Sequence, residues 1–127
     1  MGKLIDGDDG LPAEEVGVWA KEKHDYLCRY SDISRSTRAK FLGPGKAGAT
    51  YIDLFCGPGR YKVRDSGEWI DGGVVAAWKK SREGNAPFSQ VFIGDLDVQR
   101  RQAAATRLRN LGAPVVEVDG AAVDAVK

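Results

Sequence analysis

Tyr51-Ile52-Asp53-Leu54-Phe55-Cys56-Gly57-Pro58-Gly59-Arg60 is the stretch on which the fold turns: an apolar run carrying one acid, closed by a glycine turn. The β-branched and aromatic residues from Thr50 to Phe55 predict a short buried strand, and Gly57-Pro58-Gly59 ends it. Glycine permits backbone conformations closed to other residues and lets the chain approach a ligand closely. Pro58 stiffens the turn between the two glycines.

Downstream, Arg60 to Asp71 is polar, with Ser66-Gly67 and Asp71-Gly72-Gly73 as breakers, and reads as a loop. Val74 to Ser81 then reads as a helix with Val75 and Trp78 on one face. Gln90 to Ile93 is a second apolar strand, followed by Gly94-Asp95-Leu96-Asp97. Asp97 is placed to cap a helix from about Val98 to Leu111, which Gly112 stops in the left-handed conformation. Pro114 to Val118 predicts a third strand ending in Asp119-Gly120, and Ala121 to Lys127 begins another helix.

Upstream, Trp19, Tyr26, Tyr30 and Ile33 follow at steps of seven, four and three, with charged residues between them. That spacing predicts an amphipathic helix, which Ser34 to Leu42 extends or follows with a second short helix before Gly43-Pro44-Gly45. Residues 1 to about 15 are acidic, glycine-bearing and without hydrophobic period, the pattern of a mobile arm. Residues 16–127 thus alternate strand and helix after a first helix, which predicts an α/β class with a Rossmann-like parallel sheet of about three strands.

Composition narrows the function classes. Nineteen basic and eighteen acidic side chains leave a net charge of +1, so no global field favours nucleic acid or an anionic membrane. A local basic segment does exist at Arg29, Arg35, Arg38, Lys40 and Lys46, beside Tyr26 and Tyr30, but it suits a solvated helix face better than a nucleic-acid surface. Two cysteines, Cys28 and Cys56, and one histidine, His24, are too few for a structural zinc site, and both thiols read as reduced. No run approaches the roughly 18 apolar residues of a membrane span, and the N-terminus has no signal-peptide core, so the expected address is cytoplasmic.

Open parallel sheets bind ligands beyond the carboxyl ends of their strands. Here those positions carry Asp53 with Gly57, Pro58 and Gly59, then Asp95 with Leu96 beside it, then Asp119, and Phe55 flanks the first acid. Asp97 reads as a helix cap alone, and both Asp95 and Asp119 also suit plain turns. Cys56 inside the turn reads as a small packing residue rather than a redox or methyl-accepting group.

Over residues 50 to 123 this pattern resembles the class I S-adenosylmethionine-dependent methyltransferases. The resemblance implies that Asp53, Gly57 and Gly59 contact the methionine part of S-adenosylmethionine, that Asp95 binds the ribose hydroxyls, and that Asp119 binds the adenine amine. Phe55, Pro58 and Leu96 belong to the same cradle by position. A narrower likeness adds the helix around Trp19 to Tyr30, the run 51 to 61 and the segment Gly67-Glu68-Trp69-Ile70-Asp71-Gly72, and is to the three-Cys-motif partner proteins. It departs from that family at Gly72-Gly73-Val74, where Gly-Ser-Pro is usual. The family is named for a neighbouring three-cysteine protein, which makes such a protein the implied partner.

In the methyltransferase topology a fourth strand lies beside the first and precedes the residues that position the methyl acceptor. The reading here stops at three strands, which implies an N-terminal half that does not methylate unaided and leaves strand one as an apolar edge. The methyl acceptor is undetermined by these residues. The alternative is a non-catalytic interaction module for a three-cysteine protein. A nicotinamide-dependent oxidoreductase fits less well, because Lys62 stands where a third glycine belongs and Asp95 lies 36 residues after Gly59, against about 20 in that fingerprint. Gly43-Pro44-Gly45-Lys46-Ala47-Gly48 resembles a phosphate-binding loop, but it precedes its strand and lacks the hydroxyl residue after the lysine.

Overall fold

The computed structural model describes residues 3–18, 38–40 and 42–118. The amphipathic helix expected through Trp19, Tyr26, Tyr30 and Ile33, the acid Asp119 and the helix expected from Ala121 lie outside the described residues. In chain order the elements are β1 (Leu4–Asp6), β2 (Pro12–Val16), β3 (Thr50–Asp53), β4 (Arg60–Val63), β5 (Trp69–Asp71), α1 (Gly73–Glu83), β6 (Gln90–Ile93), α2 (Val98–Asn110) and β7 (Val115–Glu117).

The three apolar runs form a parallel sheet in the order β3-β6-β7, with Tyr51 opposite Val91 and Val91 opposite Val115. The mixed α/β class and the parallel pairing expected from alternating strands and helices are therefore present. Side chains alternate across the pleat, so Tyr51, Val91, Ile93 and Val115 share one face. Both helices pack there: Val74, Val75 and Trp78 from α1 meet Ala104, Ala105 and Leu108 from α2 around Val91 and Ile93. The indole of Trp78 donates to the Leu111 carbonyl at 3.3 Å, which ties α1 to the end of α2.

The expectation of a buried first strand holds for one face only. Thr50 is exposed and Ile52 is 63% exposed, because α1 and α2 cover only the face carrying Tyr51. No described strand pairs with the outer edge of β3.

Two further corrections concern segments whose polarity hid their strands. The arm expected over residues 1 to 15 contains β1 and β2, an antiparallel pair with Ile5 opposite Ala13. The loop expected from Arg60 to Asp71 is a hairpin, β4 and β5, closed around Ser66-Gly67 with Tyr61 opposite Ile70. Parallel pairing of Glu14 with Tyr61 joins the two hairpins into a second sheet, ordered β1-β2-β4-β5.

Helix α2 lies between the sheets. Residues seven apart share a helical stripe, and Arg100 and Arg107 do so on the side toward β2, where both are buried. Arg100 Nε donates to Glu14 at 2.7 Å. Arg107 grips Asp9 through Nε and Nη2, each at 2.8 Å. Its remaining donors reach the carbonyls of Leu11, Pro12 and Pro58, so all five guanidinium N–H groups are used. Alanines at 103, 104 and 105 keep the helix thin enough to be buried on both sides. Its start and end follow the sequence reading. Asp97 accepts from Gln99 and Arg100 backbone N–H groups, and Gly112 takes φ +77° while Ala113 donates back to Leu108.

Replacing Arg107 by Met removes the charge and takes its donors from three carbonyls and one carboxylate, of which Leu11 keeps the Gly7 N–H and Asp9 the Leu11 N–H. The expected loss of stability in urea denaturation is about 3 kcal/mol, the low end for a broken buried pair because Asp9 regains water; a loss below about 1 kcal/mol, the size of a single ordinary contact, contradicts this role.

The hydrogen bonds from Arg107 hold the Asp9 carboxyl down at about 2, against about 3.9 in an unfolded chain. A depressed carboxylate stabilises the fold fully above its unfolded pKa and loses that contribution as pH falls through its folded value. The gap in melting temperature between the wild-type chain and Asp9→Asn is thus expected to be widest near pH 6 and to close between about pH 4 and pH 2. A gap constant across that range overturns the assignment.

Candidate functional site

Beyond Asp53 and Ile93 the pairing of β3 with β6 continues for a few residues, which fixes the turn. Gly94 N–H donates to the Asp53 carbonyl at 2.9 Å, and Cys56 N–H donates back to the Gly94 carbonyl at 3.0 Å. Asp53 Oδ1 accepts from Phe55 N–H at 3.0 Å. Asp95 accepts from Gly57 N–H through Oδ2 at 3.0 Å and from Asp97 N–H through Oδ1 at 2.8 Å. The structure thereby joins the first two expected acids and the glycine turn into one unit at the carboxyl ends of adjacent strands.

Asp95 also has the turn role that its bland reading anticipated. Each carboxylate oxygen accepts one backbone N–H and has a second lone pair left for a ligand. Phe55 is 62% exposed and Leu96 is 48% exposed, so apolar side chains flank the acids on the outside. The remaining expected contact, Asp119, lies outside the described residues.

Both glycines are needed by packing inside the protein. Gly57 has φ +61°, and a methyl group there would come within 2.2 Å of the Tyr61 hydroxyl oxygen. Gly59 has φ +88° and sits 3.4 Å or less, measured from the same added methyl, from Val75 of α1 and Ala104 of α2. Pro58 is fully buried and gives its carbonyl to Arg107 at 2.7 Å. The turn is therefore braced from beneath by α2 and from the side by β4.

Tyr61 and Gly72 are part of this arrangement and were not singled out in the sequence. Gly72 N–H donates to the Gly59 carbonyl at 2.8 Å, and a methyl on Gly72 would lie 2.9 Å from the Tyr61 ring. The signal that could have found Tyr61 is the pair of short runs Arg60-Tyr61-Lys62-Val63 and Trp69-Ile70-Asp71 around Ser66-Gly67, which has hairpin spacing.

A cavity of about 310 Å³ lies apart from these acids, lined by Asp8, Asp9, Arg60, Asp71, Lys79 and Arg107 among others. Its charges neutralise one another: Arg60 bridges Asp8 and Asp71, Lys79 meets Asp71, and Arg107 meets Asp9. A charged ligand would have to displace existing ion pairs, whereas each carboxylate oxygen of Asp95 accepts a single backbone N–H. The chemistry therefore favours the glycine turn over the cavity as the functional site.

Among the described residues no group of three His, Cys, Asp or Glu side chains could hold a metal ion. No described helix is long and apolar enough to cross a membrane. No family model, curated protein or solved structure matches the chain.

Cys56 is buried, with its thiol donating to the Gly57 carbonyl at 3.2 Å. Burial, reinforced by the charges of Asp53 and Asp95, pushes the thiol up to about 12. A thiol so shifted is a packing group and a poor nucleophile. In a Cys28→Ser chain, where Cys56 is the sole thiol, disulfide-exchange labelling at pH 8 is expected to run on the order of a thousandfold slower than in urea. Equal rates would return Cys56 to the list of reactive groups.

Proposed function

We propose that the glycine turn binds S-adenosylmethionine and that the chain is the cofactor-binding portion of a Rossmann-like methyltransferase of the three-Cys-motif partner type. One observation carries the reading: Asp53 and Asp95 stand at the carboxyl ends of neighbouring parallel strands, Asp95 bonded to the Gly57 N–H and the Asp53 carbonyl to the Gly94 N–H, with Phe55 and Leu96 exposed beside them. Carboxylates next to apolar surface suit a nucleoside that carries hydroxyls, a flat base and a positive charge.

Bound there, the cofactor supplies a methyl group activated by its sulfonium. The open lone pairs of Asp95 accept the ribose hydroxyls, and Leu96 and Phe55 shield the base from water. Asp53 contributes negative potential toward the cationic end, and the braced Gly57-Pro58-Gly59 turn holds these groups in fixed relation. Asp119 completes the set on the strength of the resemblance. The acceptor is left to groups outside this cradle.

Calorimetric titration of the 127-residue chain with S-adenosylhomocysteine tests the proposal. Binding is expected, weakened about tenfold or more in Asp95→Ala, as the loss of a hydrogen bond to a charged group implies. Leu96→Ala, whose half-exposed side chain carries little of the core, is expected to weaken binding with an unchanged circular dichroism spectrum. A folded chain that binds no S-adenosylhomocysteine defeats the proposal and favours the second reading, a non-catalytic interaction module. That reading draws on the outer edge of β3, unpaired among the described residues, and on the exposed Ile52, features that invite a protein partner.

A further inference from the structure

The cofactor reading leaves one polar group at the turn unexplained. Tyr61 stands on β4 between Glu14 of β2 and Ile70 of β5, a position set by backbone pairing on both sides. Its ring leans on Gly72 and its hydroxyl oxygen covers the side of Gly57 where a side chain would be. No hydrogen bond among the described residues involves that hydroxyl. Of the neighbouring acids, Glu14 pairs with Arg100, and Asp95 accepts from the backbone N–H groups of Gly57 and Asp97.

A half-buried hydroxyl with no partner among the described residues loses hydrogen-bonding free energy unless water or another group meets it. Burial, followed by the charges of Glu14, Cys56, Asp53 and Asp95, raises its pKa above the usual phenol value, so it stays neutral. A neutral phenol keeps an O–H donor and lone pairs open at once. The field around it is negative, so the group best suited to its oxygen is a cation that can donate.

We infer that Tyr61 is a specificity-determining residue, its phenol oxygen accepting a hydrogen bond from the α-ammonium at the amino-acid end of a sulfur-linked nucleoside bound on the glycine turn. This rests on the cofactor reading and deepens it. The acids supply the potential, and Tyr61 supplies the directional contact. Phenylalanine at this position keeps the ring against Gly72 and removes only the contact.

Titration of the wild-type chain and Tyr61→Phe with three probes tests the inference: S-adenosylhomocysteine, its deaminated analogue, and 5′-methylthioadenosine, which lacks the amino-acid end. The expected result is that Tyr61→Phe binds S-adenosylhomocysteine about five- to tenfold more weakly, as loss of one hydrogen bond implies, and binds the other two within about twofold of wild type. Equal weakening of all three probes would mean that Tyr61 only shapes the turn, and an unchanged affinity for S-adenosylhomocysteine would remove it from the site; either overturns the inference while leaving the cofactor reading intact. Should Tyr61→Phe fail to fold, the wild-type chain alone decides. It must prefer S-adenosylhomocysteine to the deaminated analogue, and equal affinity overturns the inference. Binding of none of the three probes by the wild-type chain defeats the cofactor reading and this inference with it.

Discussion

The guanidinium of Arg107 is the constraint on which the other contacts depend. It is buried in a helix that faces two sheets, and a buried charge persists only where every donor is met. Asp9 meets two of its N–H groups and the carbonyls of Leu11, Pro12 and Pro58 meet the rest. Those acceptors come from the N-terminal hairpin and from the middle of the glycine turn, so one side chain closes a contact between residues nearly a hundred positions apart. Arg100 repeats the device about two turns earlier on the same stripe with Glu14 and Asp97. The four-stranded sheet is thus held to α2 by buried charge, whereas the parallel sheet packs its apolar face on it and adds the pairs of Arg101 and Arg109 with Glu117.

That division explains how the candidate site gets its rigidity. The glycine turn has α2 beneath it, with Gly59 in contact with Ala104 and Pro58 bonded to Arg107. The β4–β5 hairpin leaves the turn directly and returns through Gly72, whose N–H meets the Gly59 carbonyl. Asp95 then fastens the turn to the end of β6. A ligand binding to a turn braced on three sides loses little affinity to ordering it, which is the use of preorganisation.

Much of the parallel half was legible because its signals are local. Runs such as Gln90-Val91-Phe92-Ile93 carry their own strand propensity, and Asp97 and Gly112 mark the ends of α2 within a few residues of it. The second sheet was hidden because its stability is non-local. Pro12-Ala13-Glu14-Glu15-Val16 is too polar to announce a strand, and the burial of Glu14 makes sense only beside Arg100, 86 residues away. The same applies to Arg60-Tyr61-Lys62-Val63, where Lys62 finds its place 5.6 Å over the Trp69 ring across the hairpin. At the site, the acids were readable from their positions after strands, but Tyr61 was not, since its importance comes from Gly57 lying under its hydroxyl. The glycines themselves were read as room for a ligand, and packing shows that part of that room belongs to Tyr61, Val75 and Ala104.

This last point bears on which nucleotide chemistry the turn suits. A pyrophosphate is held by free backbone N–H groups at a glycine turn and by the positive end of the helix that follows. Here the Gly57 N–H is already taken by Asp95, and a hairpin intervenes between the turn and α1. The groups gathered around that N–H are Asp53, Asp95 and a neutral phenol, with Glu14 behind them neutralised by Arg100. Such a surface is unfavourable to a phosphate and favourable to a cation, which is the electrostatic ground on which the proposed cofactor is preferred to a dinucleotide.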